Sequence, residues 1–434
     1  MKKKVAFYTL GCKVNQYETN AMEKLFSDAG YEIVPFDEAA DVYVVNTCTV
    51  TSVGDKKSRQ ILRRAKHLNP DAVIAAVGCL AQTDPKQIEN TGAVDVIVGT
   101  NNKNSIVEAV EAAKKTVGTV SRVTEYDGLS EFELMSIDRF DGRERAYIKI
   151  QEGCDRFCTY CIIPYARGKV RSAREEDIIK EAERLGNNGF SEIVLTGIHV
   201  ASYGRGTENT LSGLIKKLSE IDSIKRIRLS SVDPVAFSDE FIKTAAVSDK
   251  LCPHFHISLQ SGSDDILRRM NRRYTSAEYY ETLCRIRESI ENVSITTDVI
   301  TGFPHETEEE FEKSYNFVEK CGFAAVHVFP YSERKGTPAA KFGGVVPKNI
   351  RNERAHKMSG LAAHLKKKFT EKYIGNVMPV LFESKHSDGT LSGFTANYIK
   401  VCAPAPDDAA GKILNVQITG FDGENAIGIL SEKI

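Results

Sequence analysis

Apolar strand-like runs that alternate with amphipathic helical stretches recur through most of this 434-residue chain, and that alternation leaves few folds open. In the first 125 residues it predicts strands at Val5–Leu10, Val42–Thr47 and Val73–Val77, with helices near Glu18–Ala29 and Lys56–His67 between them. Strand, helix and strand in succession close into a parallel sheet with helices on its faces. From about Ser121 to Arg143 no clear period is visible, which reads as a linker. The alternation then resumes with six units, whose strands are Tyr147–Ile150, Glu192–Thr196, Arg226–Ser230, His254–Leu259, Ser294–Ile300 and Ala325–Phe329. Six units suit an incomplete parallel barrel, open on one side, with ligands at its C-terminal mouth. After Pro347 comes a basic helical stretch, and from Val377 short strands with turns at Asp388-Gly389 and Asp422-Gly423 suggest a small all-β barrel. The expected fold class is α/β, in three serial domains: 1–125, 144–365 after a linker 126–143, and 371–434.

The cysteines narrow the chemistry. Hydrophobic residues make up 41% and charged residues 27%, an ordinary globular balance, and no apolar run approaches the roughly 20 residues needed to span a bilayer. Met-Lys-Lys-Lys leads directly into strand-like Val5–Leu10 rather than into an apolar leader, so a cytoplasmic protein without membrane partners is expected. Ten cysteines in that setting point to metal or redox chemistry rather than disulfides. Cys154, Cys158 and Cys161 form a CxxxCxxC run just after a predicted strand. The run supplies three thiolates where a [4Fe–4S] cluster needs four ligands, which leaves one iron open. A structural zinc site or three buried cysteines is the rival reading, although zinc normally takes four protein ligands. Cys12, Cys48 and Cys79 each fall at or just past the C-terminal end of a predicted strand, the edge where open α/β sheets bind ligands. Three thiolates converging there would hold a second, auxiliary cluster. Cys252, Cys284, Cys321 and Cys402 have no ligand spacing and are expected to fill core space.

The CxxxCxxC loop with Tyr160 beside it and a βα repeat downstream resembles the radical SAM superfamily. That resemblance implies S-adenosylmethionine chelating the open iron and yielding a 5′-deoxyadenosyl radical on reductive cleavage. Loops at successive strand ends carry groups suited to the cofactor: Thr196-Gly197 after the second strand, Ser258, Gln260 and Ser261 after the fourth, and Asp298 with Gly302 at the fifth. A glycine permits close backbone approach, while hydroxyl and amide groups can meet ribose or carboxylate. Each is also an ordinary turn residue, so the joint occurrence carries the reading. Tyr160 is expected near the adenine, or as a shield against solvent.

The net charge of −1 gives no overall attraction to nucleic acid, so binding must come from local patches. Four basic clusters are candidates: Lys56, Lys57, Arg59, Arg63, Arg64 and Lys66; Arg167, Lys169, Arg171 and Arg174; Arg268, Arg269, Arg272 and Arg273; and Arg351 to Lys372, which includes Lys366, Lys367 and Lys368. On helices such runs are often only solvated faces. The segment from Glu371 onward has five Lys/Arg against eight Asp/Glu, so its expected contribution is stacking through Phe394 and Tyr398.

Gly11-Cys12-Lys13-Val14-Asn15-Gln16-Tyr17-Glu18, Asn46-Thr47-Cys48-Thr49-Val50-Thr51, Gly78-Cys79, and the Gly153–Cys161 loop with Ile162-Ile163-Pro164-Tyr165-Ala166-Arg167-Gly168 resemble the methylthiotransferase family over nearly the whole chain. The tail is similar to a TRAM domain, an RNA-binding β barrel. Arg171-Ser172-Ala173-Arg174 departs from the Arg-Ser-Arg usual in relatives. The Lys-Val-Asn-Gln-Tyr-Glu and Asn-Thr-Cys-Thr-Val-Thr segments most resemble the branch that modifies N6-threonylcarbamoyladenosine at position 37 of tRNA. The resemblance implies two [4Fe–4S] clusters and two molecules of S-adenosylmethionine. One donates a methyl group to sulfur at the auxiliary cluster, and the other supplies a radical that takes hydrogen from C2 of the adenine. It also implies a tRNA anticodon loop as substrate, an electron donor such as flavodoxin or ferredoxin, and a sulfur source. No catalytic residue is assigned beyond the clusters. A sister enzyme acting on isopentenyladenosine or on a ribosomal-protein aspartate would use the same cysteines, and a non-enzymatic metal-containing RNA-binding protein is the distant alternative.

Overall fold

The computed structural model describes residues 2–128, 131–137 and 144–431. They form two compact units: 1–139 with 149–173 and 332–340, and 140–148 with 174–331 and 341–434. Of the expected linker, 129, 130 and 138–143 lie outside the described residues.

The first unit is built on a six-stranded parallel sheet of β1 (Lys4–Thr9), β2 (Glu32–Val34), β3 (Val42–Thr47), β4 (Val73–Gly78), β5 (Val96–Val98) and β6 (Val120–Arg122), in the order β2-β1-β3-β4-β5-β6. Every residue of β3 and β4 is buried, as expected of parallel strands covered on both faces. The pairing registers Ala6 with Tyr43 and Val44 with Ala75. β2, β5 and β6 escaped the sequence pattern because each is three residues long, too short to show a period. β6 falls inside the stretch read as linker. The helices begin earlier than expected, at Lys13 and Ser52, because Cys12 and Thr51 hold the N-cap positions. Thr51 accepts a hydrogen bond from the Gly54 amide, whereas Cys12 makes no side-chain cap, so its thiol is left for other work.

In the second unit the six barrel strands are present. Their C-terminal ends sit close to the expected residues, except where the fourth strand stops early. They are β7 (Arg145–Glu152, which runs on into the first unit), β9 (Glu192–Gly197), β10 (Arg226–Leu229), β11 (His254–His256), β12 (Ser294–Thr301) and β13 (Ala325–Pro330). A short strand, β8 (Arg171–Ser172), pairs antiparallel with the end of β7 inside the first unit. β9 lies parallel to β10, β11-β12-β13 form a parallel sheet, and isolated parallel bridges Ile227–Leu251 and Val232–Ile257 join the two sets. β11 ends at His256 rather than Leu259. Gln260, at φ 71°, interrupts the ladder there and keeps only a bridge to Val299.

The 24-residue helix Lys348–Glu371 leads to a closed five-stranded barrel of β14 (Val377–Lys385), β15 (Thr390–Thr395), β16 (Lys400–Pro404), β17 (Ile413–Phe421) and β18 (Ala426–Leu430). Val380, Phe382, Leu391, Val401 and Val416 fill its interior. Closure removes the exposed edges that so small a sheet would otherwise carry.

Candidate active site and its cysteine triads

Cys12, Cys48 and Cys79 follow β1, β3 and β4, three adjacent strands of one parallel sheet, so the topology delivers them to a single sheet edge. Gly11 lies so close that a Cβ there would stand 3.0 Å from both Cβ and Sγ of Cys48. The Cys79 thiol feels the negative charge that Cys12 and Cys48 would carry, and Cys48 feels that of Cys12. Burial pushes Cys79 up to about 12 and raises Cys48 as well, so in the absence of metal these thiols are neutral and binding must displace their protons. Among the described residues no three Cys, His, Asp or Glu groups close on a single ion. A cubane would offer each cysteine its own iron.

Cys154, Cys158 and Cys161 lie on a loop that leaves β7 within the same unit. Gly153 starts it at φ 73°, and a Cβ there would fall 1.9 Å from the Lys169 carbonyl oxygen, so only glycine fits. The Cys154 amide donates to the Gly168 carbonyl at 3.1 Å and the Cys161 amide to the Cys158 carbonyl at 2.9 Å. Phe157 takes φ 46° between the first two cysteines, a strained position of the kind that collects at functional loops. Burial pushes Cys154 up to about 11.

Each triad supplies three thiols, the number that leaves one iron of a [4Fe–4S] cluster open. The residues following three of the cysteines, Thr49, Leu80 and Ile162, all line one cavity of about 710 Å³, together with Asp55 and Arg334. Arg334 is ion-paired with Asp55 at 2.8 Å and donates to Thr49 Oγ1 at 2.6 Å.

Sequence reasoning missed the buried charge between the triads. Arg167, read there as part of a nucleic-acid patch, is fully buried and its Nε lies 3.2 Å from Cys79 Sγ. Arg171 of the same patch is also buried, its Nη1 donating to the Arg167 carbonyl, whereas Lys169 and Arg174 are exposed. Glu18 and Glu152 accept from Arg167. Burial alone would raise both carboxyls, but Arg167, with Lys149 and for Glu18 also Lys103, outweighs it and holds both below the ordinary range. The available signal was Lys149 between Ile148 and Ile150, a placement that calls for buried partners.

The cofactor candidates of the second unit lie at strand ends, as expected, but several are already engaged. Thr196 and Ser261 are buried, and the Ser261 hydroxyl accepts from the Ser263 amide. Gly197 closes β9 and is partly exposed. The Ser258 carbonyl accepts from Tyr274 Oη and Arg272, while the Gln260 amide and carbonyl are bonded to Asp298 and Ile300. Asp298 sits 3.1 Å from His256 Nε2. The Gly302 amide donates to Glu306 at 2.7 Å and the Arg351 side chain lies against its α-carbon. Tyr160, on the loop of the first unit, is half-buried.

The RNA candidates divide. Arg268 is 76% exposed and paired with Asp265 on its own helix, and Arg273, Lys367 and Lys368 are exposed, with Lys366 half-buried. Arg272 is 8% exposed and bound to Asp233 and Tyr274, and Arg269 is ion-paired with Glu310. Phe394 and Tyr398 stack on each other at 4.6 Å, Tyr398 stacks on His254 at 4.3 Å, and Arg145 and Arg228 lie over their rings. That stacking corrects their expected role as platforms for bases.

Residues 148–318 match the model of the radical SAM superfamily, and residues 4–99 match that of uncharacterized protein family UPF0004. Over 422 residues the chain is 43% identical to the threonylcarbamoyladenosine tRNA methylthiotransferase MtaB of Bacillus subtilis, covering 95% of this chain and 93% of the relative. The protein of that name from Aquifex aeolicus is 39% identical over 96% of this chain and all of its own. The chain belongs to the radical SAM methylthiotransferase family. Membership implies a [4Fe–4S] cluster and S-adenosylmethionine, and in this methylthiotransferase the CxxxCxxC loop is the segment whose thiols fit the cluster. A second family member, the tRNA-2-methylthio-N(6)-dimethylallyladenosine synthase of Staphylococcus haemolyticus, is 35% identical over 94% of the chain and 81% of that protein. Among solved structures, the radical S-adenosylmethionine methyltransferase TsrM from Kitasatospora setae shares the fold, with TM-score 0.60 at 15% identity over 90% of this chain and 81% of its own. Among the described residues no helix is long and apolar enough to cross a membrane.

Proposed function

We propose that this chain methylthiolates C2 of N6-threonylcarbamoyladenosine at position 37 of tRNA, giving the 2-methylthio derivative, and that it works in the cytoplasm. The observation that carries the proposal is the placement of two separate thiol triads in one compact unit, the segments that bear them joined by Arg167 against Cys79. The choice of nucleoside rests on relatives named for threonylcarbamoyladenosine that are 37–43% identical, against 34–36% for those named for dimethylallyladenosine.

In this reading residues 1–125 form the auxiliary-cluster domain, 144–365 the radical SAM domain and 371–434 the RNA-binding barrel, with 126–143 between them. Cys154, Cys158 and Cys161 would hold one [4Fe–4S] cluster and Cys12, Cys48 and Cys79 the other. When bound, the clusters and S-adenosylmethionine supply radical hydrogen abstraction and the methylthio group. The chain's own residues position them and exclude water. Gly153 and the Cys154–Gly168 hydrogen bond set the loop, and Tyr160, Thr196, Gly197, Ser258, Gln260, Ser261, Asp298 and Gly302 are the groups this reading assigns to S-adenosylmethionine. Arg268, Arg273, Lys367 and Lys368 are exposed cations, with half-buried Lys366 beside them, suited to phosphates flanking a base that must be read outside the stack. A reductant such as flavodoxin or ferredoxin and a sulfur source complete the turnover.

Two measurements test this reading. Reconstituted protein should hold about eight irons per chain, falling to about four when Cys12, Cys48 and Cys79 are replaced by alanine. Nucleosides of tRNA from a deletion strain should lack 2-methylthio-N6-threonylcarbamoyladenosine while retaining its unthiolated precursor. Loss of the isopentenyl analogue instead would assign the chain to the sister branch.

A further inference from the structure

Arg167 has no exposed surface, and its guanidinium meets polar groups of the first unit. Nη1 is 2.6 Å from Glu18 Oε1 and 3.3 Å from Glu152, Nη2 is 2.6 Å from Asn15 Oδ1 and 3.2 Å from Glu18 Oε2, and Nε is 3.2 Å from Cys79 Sγ. Lys103 and Lys149 each lie 3.3 Å from Glu18, and Lys149 is 3.0 Å from Glu152. Among the described residues, three cations therefore share two carboxylates in a buried interior. Arg171 and Glu133 flank the group and add one charge of each sign. A buried excess charge is strongly unfavourable unless an anion meets it.

Cys79 Sγ is the acceptor at the remaining edge of the guanidinium. A [4Fe–4S]²⁺ core held by three thiolates carries one net negative charge, the complement of what this pocket lacks. Hydrogen bonds to a cysteine sulfur and nearby positive charge favour the reduced, more negative state of a cluster. The covalent position of Arg167 matters equally. It precedes Gly168, whose carbonyl holds the Cys154 amide, and the Ala166 carbonyl is tied to Thr100 Oγ1 at 2.7 Å.

We propose that Arg167 is a positioning residue for the auxiliary centre, raising its reduction potential through Nε–H donation to Cys79 Sγ and through the uncompensated charge around it, while clamping the segment that anchors Cys154 against Cys79. The proposal rests on the two-cluster reading. Arg167 touches neither nucleoside nor S-adenosylmethionine in this account, and its effect is exerted through Cys79.

The test uses the full chain with Cys154, Cys158 and Cys161 replaced by alanine, so that any iron reports the auxiliary centre alone. About four irons per chain in that background uphold the two-cluster reading, and none would overturn it together with the proposal. Midpoint potentials are then read by EPR-monitored titration. Arg167→Gln should retain iron and lower the potential, and Glu18→Gln, which increases the excess positive charge, should raise it. Arg167→Lys, which keeps the charge without the guanidinium geometry, should fall between Arg167→Gln and the unsubstituted background. Iron retained with the Arg167→Gln and Glu18→Gln potentials unmoved would overturn the proposal. So would loss of iron in all three variants while the background holds its cluster, since that would make the role purely structural.

Discussion

Glu192→Gln offers the sharpest test of how the C-terminal barrel is held in the second unit. The Glu192 carboxylate is fully buried, with Arg228 Nε at 2.6 Å and Nη2 at 3.2 Å, Arg226 at 3.8 Å and Arg145 at 3.9 Å. The same arginines reach the barrel: Arg226 donates to the Phe394 and Pro379 carbonyls, Arg228 donates to those of Ala396 and Thr395, and Arg145 is ion-paired with Glu383. Removing one partner of a buried ion pair costs about 3–5 kcal/mol. Glutamine keeps the shape and one acceptor, so the lower end, about 3 kcal/mol, is expected. Burial would raise this carboxyl, but Arg228, Arg145 and Arg226 outweigh it and hold it below the ordinary value. A carboxyl lowered by folding contributes stability that is complete above its unfolded value, about 4.3, and is lost as pH falls through the folded value. The deficit of the variant should therefore be full at pH 7 and shrink in acid below about pH 4. Because two units make global unfolding a poor two-state transition, native-state hydrogen exchange of the β14–β18 amides is the suitable assay. The expected ratio of variant to parent exchange at pH 7 is on the order of 10². A ratio near one, or a gap that widens in acid, would refute the reasoning.

Gly153→Ala forces a Cβ to 1.9 Å from the Lys169 carbonyl oxygen, a backbone atom that cannot step aside, so about four irons per chain should be lost while the N-terminal centre remains. Gly11→Ala pushes against Cys48 at φ 102°, and the complementary loss of about four irons from the auxiliary centre is expected, with the radical SAM centre retained. Replacing Lys366, Lys367 and Lys368 together by glutamine should lower the slope of log affinity for tRNA against log salt by roughly 2 to 3, whereas Arg272→Gln, which removes a contact to Asp233, should lower thermal stability with the slope unchanged. An unchanged slope in the triple variant would remove that patch from the RNA surface.

Much of this was legible in the sequence because it is local. CxxxCxxC spacing lies within eight residues, strand-end cysteines follow from hydrophobic runs that terminate beside them, and the six βα units repeat often enough for periodicity to reveal them. The short strands β2, β5 and β6 were not legible, since three residues carry no period and the sheet recruits them through neighbours already in place.

The charged residues show where local reading ends. Arg167, Arg171, Arg268 and Arg272 look alike as members of basic clusters, yet Arg268 projects to solvent while Arg167 and Arg171 are buried and Arg272 nearly so. By itself the sequence determined the fold class and the family and singled out six cysteines as candidate ligands, because spacing and periodicity are properties of contiguous chain. Only the tertiary structure decided which cations are counter-charges and which are surface. Burial is set by what packs above a side chain, and Glu18 and Arg167, the pair that organises the space beside Cys79, are separated by 149 residues.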